Sequence, residues 1–263
     1  MKKILVTGAS GGMGTAICKA LLQNGCTVYG LDLQQKNTVE GLQFIQCDVR
    51  DSISVTAAKE EILRRTDSLD AIVHTAGIYD MDSLLELDEE RFSRIMDINL
   101  GGVYRINKAF VPLMRSGGRI VITSSELAPL DPLPFTGIYA VSKAALEKYA
   151  FSLRMEVNLL GISVSVIRPG AVKTGLLGDS TRALDRFVEK TEMYRCNAVR
   201  FRKIVNSVEA KNIPPEKIAA AVCRALNAQR PKYVYNINRN PLLRLLNILP
   251  DRWQVGIIRQ ILK

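Results

Sequence analysis

With 263 residues, 47% of them hydrophobic, and a mean hydropathy near zero, the chain has enough apolar material for a sizeable core. No apolar run reaches the roughly 18 residues of a membrane span, and five scattered cysteines without a Cys-x-x-Cys pair argue against a disulfide framework or a zinc site and fit a reducing, cytoplasmic setting. The formal charge of +10 is uneven: Arg224 to Lys263 holds eight Lys or Arg against one acid, Asp251, which reads first as a solvated basic face and next as a surface for anionic lipid, nucleic acid or an acidic partner.

Met1-Lys2-Lys3 followed by Ile4-Leu5-Val6 starts like a secretion signal, but the apolar run stops at Thr7-Gly8 and reads as a first strand. A helix is predicted over Gly12–Asn24, then strands over Cys26–Leu31 and Leu42–Cys47, and a helix over Ser52–Arg65. Asp70–His74 reads as a strand and Asp88–Arg115 as one long helix. Gly118–Thr123 is a strand, Ile138–Leu160 a helix and Ser163–Ile167 a strand. Short β-branched runs alternating with helices predict βαβ units: a Rossmann-type doubly wound parallel sheet of about seven strands, with helices on both faces. Residues 175–212 are charged and irregular with moderate helical character, and are read as a lid over the sheet's carboxyl edge. Pro214-Pro215 opens a helix, Tyr233–Ile237 is a last strand, and 239–263 forms a C-terminal extension broken by Pro250. Nothing marks a linker or a repeat, so 1–263 is expected to be one domain.

Three motifs carry chemistry. Thr7-Gly8-Ala9-Ser10-Gly11-Gly12-Met13-Gly14 follows a strand and opens a helix, where small residues let a pyrophosphate approach the backbone and the helix N-terminus favours anions. Asp32 ends the second strand eighteen residues beyond Gly14; its carboxylate can accept from both adenosine ribose hydroxyls and repels a 2′-phosphate. That predicts NAD over NADP, although Lys36 lies nearby. Tyr139 and Lys143 are four apart and share a helix face, so the ammonium is expected to lower the phenol pKa and make it a usable acid and base. With Thr123-Ser124-Ser125 upstream, the set points to alcohol/ketone oxidoreduction with a nicotinamide dinucleotide.

Residues 2 to 237 closely resemble the short-chain dehydrogenase/reductase family, most of all its hydroxysteroid and retinol dehydrogenase branches. The resemblance implies that Tyr139 is the general acid/base, that Lys143 also binds the nicotinamide ribose, that Ser125 holds the substrate oxygen, and that Asn99 in Asp97-Ile98-Asn99-Leu100 completes a proton relay. It implies cofactor contacts from Asp48-Val49, from Ala76-Gly77, and from the Pro169-Gly170-Ala171-Val172-Lys173-Thr174 segment. His74-Thr75 stands where the family has paired asparagines, and His74, the single histidine, is expected to be structural. Ser125 precedes Tyr139 by fourteen residues where thirteen is commoner in the family; the extra residue is placed in the Pro129–Pro134 loop, and Ser124 serves instead if the register shifts. The family's habits also imply a homodimer or homotetramer.

Leu176, Leu177, Leu184, Phe187, Val188, Met193, Tyr194 and Phe201 in the lid, with Leu127, Leu130, Leu133 and Phe135 after Ser125, predict a lipophilic alcohol or ketone as substrate, unless they serve only to seat the lid. The competing functions are a 3-oxoacyl thioester (acyl-carrier-protein) reductase, which the basic surface suits, and a non-catalytic dinucleotide sensor, which the full Asn99, Ser125, Tyr139 and Lys143 set disfavours. No metal site and no nucleic-acid motif is recognised. The two apolar, cationic tail segments are expected to pack on the protein, with peripheral membrane contact as the alternative.

Overall fold

The computed structural model describes residues 1–36, 38–209 and 211–263, without the side chains of Leu176, Leu177, Asp179, Val208 and Glu209. Among these residues, seven parallel strands form one sheet in the order β3-β2-β1-β4-β5-β6-β7. The strands are β1 (Lys3–Thr7), β2 (Thr27–Asp32), β3 (Gln43–Gln46), β4 (Leu69–His74), β5 (Met114–Thr123), β6 (Ser163–Pro169) and β7 (Val234–Ile237). Their registers run in parallel, for example Leu5 beside Tyr29 on one flank of β1 and beside Ile72 on the other. After β3 the chain crosses over β1 to place β4 on its far side. The winding therefore reverses between β1 and β4, and a crevice opens beyond their carboxyl ends.

Both faces are covered, as the unbroken apolar strands require. On one face α1 (Gly12–Gln23) and α8 (Glu216–Asn227) press Ile17, Leu21, Val222 and Leu226 onto Ile4 and Val6. On the other, α2 (Ser52–Leu63) and α4 (Gly102–Phe110) bring Ile62, Ile106 and Phe110 onto Leu5, Leu31 and Ile72. The same face continues with α5 (Gly137–Asn158), whose Leu146 and Ala150 meet Ile120, Ile122 and Val164. Each of the large side chains so buried contributes about 1.5–3 kcal/mol. Local signals set the ends: the Asp51 side chain accepts from Ile53 N at 2.9 Å and Ser54 N at 3.2 Å to cap α2.

Two expectations are corrected. The long helix predicted over 88–115 is α3 (Glu89–Met96), a π-helical turn (Asp97–Gly101), α4, and a 3₁₀ turn (Val111–Leu113). Pro112 has no N–H to continue an α-helix and would crowd the carbonyl one turn back, so α4 stops and β5 begins at Met114. The lid is more regular than its charges imply, being two amphipathic helices, α6 (Gly175–Lys190) and α7 (Arg195–Glu209). The extension folds as α9 (Pro241–Leu246) and α10 (Asp251–Leu262), split at Pro250 as expected.

His74 is structural in placement. Its Nε2 faces Asn107 Oδ1 at 2.9 Å, and Asn107 Nδ2 donates to the Tyr149 hydroxyl at 3.1 Å, which ties β4 to α4 and α5. Burial drives the histidine pKa down to about 4, against the opposing pull of Asn107. A histidine that charges more readily unfolded than folded stabilises the fold fully above pH 6.5, and that stability is lost as pH falls toward 4. Denaturant titration should therefore show the native protein losing about 1 kcal/mol from this group between pH 7.5 and 5.5. His74→Asn should flatten that part of the profile; an unchanged slope would contradict the assignment.

Candidate active site

The turn between β1 and α1 is shaped for close approach. Gly8 has φ +69°, and a Cβ there would lie 2.6 Å from the Ala76 amide nitrogen. A Cβ on Gly14 would fall 2.0 Å from the Gly8 carbonyl oxygen. Only glycine lets this turn tuck under the β4 loop and leave the α1 N-terminus open. Asp32 is held at the end of β2 by bonds from Ser10 N at 2.9 Å and Leu33 N at 2.7 Å. Its carboxylate thus faces the crevice in a fixed orientation. Asp48 is clamped by Arg50, whose Nη2 donates at 2.7 Å and which holds the carboxyl below its usual range. Thr75 replaces a family asparagine and donates from Oγ1 to the Thr7 carbonyl at 2.6 Å, fastening β4 to β1 where the crevice opens.

Gly8, Ser10, Gly11, Gly12, Met13, Gly14, Asp32, Asp48, Val49, Ala76 and Gly77 line one cleft of about 540 Å³, to which Thr174 also contributes. Its length runs from Asp32 past the glycine turn to Gly77, which fits an extended dinucleotide. Tyr139, Lys143, Ser125, Pro169, Gly170 and Val172 line an adjoining cavity of about 170 Å³. Met13, Gly77 and Thr174 line both. The residues present therefore fit a nicotinamide dinucleotide whose redox end would meet Tyr139.

Around Tyr139 the expected residues converge. On α5 the buried stripe Tyr139, Ser142, Lys143 and Leu146 faces inward at helical spacing, and Val141 faces out. Ser125 lines the same cavity, its Oγ accepts from Leu127 N at 3.2 Å, and its side chain pulls the phenol pKa down. Ser124 also lines the cavity, but its Oγ is buried without a partner among the described atoms. Of the two serines, Ser125 is the one that acts on the tyrosine. Lys143 Nζ donates to the Thr123 carbonyl at 3.2 Å and sits 5.8 Å from the Tyr139 ring centre. Asn99 lies in the π-helical turn, wholly buried. Its Oδ1 accepts from Ile78 N at 2.9 Å, and its Nδ2 donates to Ile78 O and Ser142 Oγ, both at 3.0 Å. It does not line the cavity; it fixes the loop after β4 and the helix that carries the tyrosine.

The expectation that Lys143 lowers the Tyr139 pKa is corrected. Burial pushes the phenol up to about 12, with the Ser125 side chain as the opposing pull, and pushes Lys143 down to about 8. Desolvation outweighs the pull of Ser125 on the phenol and of Glu147 on the ammonium because both groups are buried. The phenol is accordingly a protonated donor at neutral pH.

The apolar residues divide between two jobs. Leu127, Leu133 and Phe201 line the cavity, with Ile78, Tyr79 and Leu243. Leu184 and Phe187 are buried in the lid's own packing, where Phe135 stacks 4.5 Å from Phe187 and 5.3 Å from Phe201. Met193 is exposed, and the Leu176 and Leu177 side chains lie outside the described residues. Sequence reasoning missed Tyr79, 4.3 Å ring to ring from Tyr139, and Glu126, a carboxyl in the cavity wall that burial raises above its usual range. It also missed Ser142 as a partner of Asn99. Ser142 had a signal, one residue before Lys143; Tyr79 had none until the fold brought its loop over α5.

The profile of the short chain dehydrogenase family matches residues 2–185. A 3-ketodihydrosphingosine reductase from Bacteroides thetaiotaomicron is 30% identical over 95% of this chain and 92% of its own length. The 17-beta-hydroxysteroid dehydrogenase type 1 of Homo sapiens is 31% identical over 92% of this chain and 80% of its own. The crystal structure of a short chain dehydrogenase family protein from Francisella tularensis subsp. tularensis SCHU S4 superposes with a TM-score of 0.75 at 25% identity, covering 90% of this chain and 96% of that one. The glycine turn at the winding reversal, the buried serine–tyrosine–lysine set and these likenesses agree: the chain is an oxidoreductase that belongs to the short chain dehydrogenase family.

Proposed function

We propose that this protein is an NAD-dependent oxidoreductase interconverting a secondary alcohol and a ketone on a lipophilic substrate. The observation that carries the reading is the convergence of Ser125, Tyr139 and Lys143 on one largely apolar cavity that adjoins the dinucleotide cleft. A bound nicotinamide supplies or accepts the hydride. In reduction, Ser125 holds the carbonyl oxygen, and the Tyr139 phenol gives that oxygen its proton as the carbon is reduced. Lys143 sits where it can steady the resulting phenolate and a ribose hydroxyl, and Asn99 positions Ser142 and the loop after β4 beside it. The likenesses to a 3-ketodihydrosphingosine reductase and a 17-beta-hydroxysteroid dehydrogenase support a bulky lipophilic ketone over a small one. A 3-oxoacyl thioester remains the second reading because the chain is strongly basic, and the same assay with a carrier-bound substrate separates the two.

Asp32 supports the NAD preference. Both of its oxygens are engaged at the end of β2, and a 2′-phosphate there would meet like charge. We read the protein as cytoplasmic and as a homodimer or homotetramer. The exposed Tyr104 on α4 and the exposed Phe151 and Met155 on α5 are available for such an interface.

Steady-state reduction of a lipophilic ketone should fall about 10³-fold in kcat for Tyr139→Phe while NADH binding is retained, and about 10²-fold for Ser125→Ala. Ser124→Ala should stay near native; if instead Ser124→Ala loses activity and Ser125→Ala keeps it, the serine assignment is wrong. The ratio of kcat/KM for NADH over NADPH should be about 10² in the native protein and shrink at least tenfold in Asp32→Ala. Equal native efficiencies would overturn the cofactor preference.

A further inference from the structure

Helices α9 and α10 are held firmly on their inner side and left apolar on their outer side. Glu126 Oε2 accepts from Asn240 N at 2.6 Å, and the Asn240 side chain caps α9 by accepting from Leu242 N at 2.9 Å. Asn247 Oδ1 accepts from Asp131 N at 2.6 Å, and Gln254 Nε2 donates to Asp131 Oδ2 at 3.0 Å. At the far end Asn197 Nδ2 donates to the Leu262 carbonyl at 2.7 Å, and Leu262 is buried with Met81, Leu184 and Phe201. On α10 the residues Gln254, Ile258 and Leu262 form the inward stripe at spacing four.

A second stripe runs beside it. Trp253, Ile257 and Ile261 repeat at the same spacing but are 37 to 58% exposed, and Leu242, Leu245 and Ile248 from α9 and its end are 61 to 78% exposed. Exposed cations flank them: Arg244, Arg252, Arg259 and Lys263 against the single acid Asp251. None of these four has an ion-pair partner among the described residues. No helix among the described residues is long and apolar enough to cross a membrane. An apolar stripe with a tryptophan, bordered by unpaired arginines, is the pattern of a helix that lies in the plane of a lipid–water interface.

We propose that the outer face of α9 and α10 docks on an anionic lipid bilayer and turns the mouth of the substrate cavity toward it. The apolar stripe enters the acyl boundary, and the cations meet the headgroups, each adding attraction near the surface. The link to the site is α9: Leu243 lines the cavity while Leu242 and Leu245 face out, so a single short helix separates substrate from lipid. This extends the reading of a lipophilic substrate by naming where that substrate is collected. A second copy of the chain is the poorer occupant, because an isologous contact over this face would bring the same unpaired cations toward one another.

Flotation of the full chain with phosphatidylcholine vesicles, with and without one-third phosphatidylglycerol, tests the docking. Neither dinucleotide nor substrate is added, so an inactive protein still tests it, and failure here leaves the oxidoreductase reading untouched. The native protein should float with the anionic vesicles at low salt and not with the neutral ones. The outward-facing W253S/I257S/I261S and R244E/R252E/R259E variants, checked as folded by circular dichroism, should each bind at least tenfold more weakly. Absence of native flotation, equal flotation with neutral vesicles, or a native dimer that the serine variant converts to monomer would overturn the proposal.

Discussion

A phenol and an ammonium buried side by side set the terms for the rest of this structure. Neither Tyr139 nor Lys143 can carry charge cheaply where it lies: burial moves the first up to about 12 and the second down to about 8. Each has a polar neighbour: the Ser125 side chain acts on the phenol, and the Thr123 carbonyl accepts from the ammonium. These two neighbours come from the end of β5, while the pair itself rides on α5. The reactive set therefore exists only when strand and helix are docked in this register, and Leu146 and Ala150 against Ile120 and Ile122 supply that docking.

The crevice beside it has the same origin. Because β1 is central and the chain reverses its winding there, the ends of β1, β2 and β4 deliver Gly8, Asp32 and Ala76 to one edge. Asn99 adds a constraint from below. The π-helical turn that carries it inserts an extra residue into the helical path between α3 and α4, and its amide then joins the β4 loop to α5. The loop after β4 also meets the lid: Asp80 is paired with Arg91 at 2.8 Å and with Arg186 of α6. The large cleft, α5 and α6 are thus linked through one short loop.

The sheet was legible because each strand is a short β-branched run ended by glycine, proline or a polar pair, and the helices between them bury one face. The glycine turn, Asp32 and the Tyr139–Lys143 spacing were legible for the same reason: each is a local pattern with one favoured geometry. Other features were hidden. Nothing in Asp97-Ile98-Asn99-Leu100-Gly101 breaks a helix, so the π-helical turn left no mark. Ser116-Gly117-Gly118 concealed the early start of β5, and the many charges of 175–209 masked two helices whose apolar faces meet Phe135 and Leu262. The direction of the Tyr139 shift was misread because sequence spacing reports proximity and not burial, and burial is the larger effect here.

Seen together, the apolar cavity, its cover by α6, α7 and α9, and the buried phenol fit the proposed alcohol/ketone oxidoreduction. The most direct measurement is mass spectrometry of the alcohol formed from a lipophilic ketone with NADH deuterated at C4 on the transferred face. The account predicts that the product carries the label on its carbinol carbon, and that Tyr139→Phe abolishes its formation. Bound NADH with no labelled product from any ketone or thioester offered would contradict it.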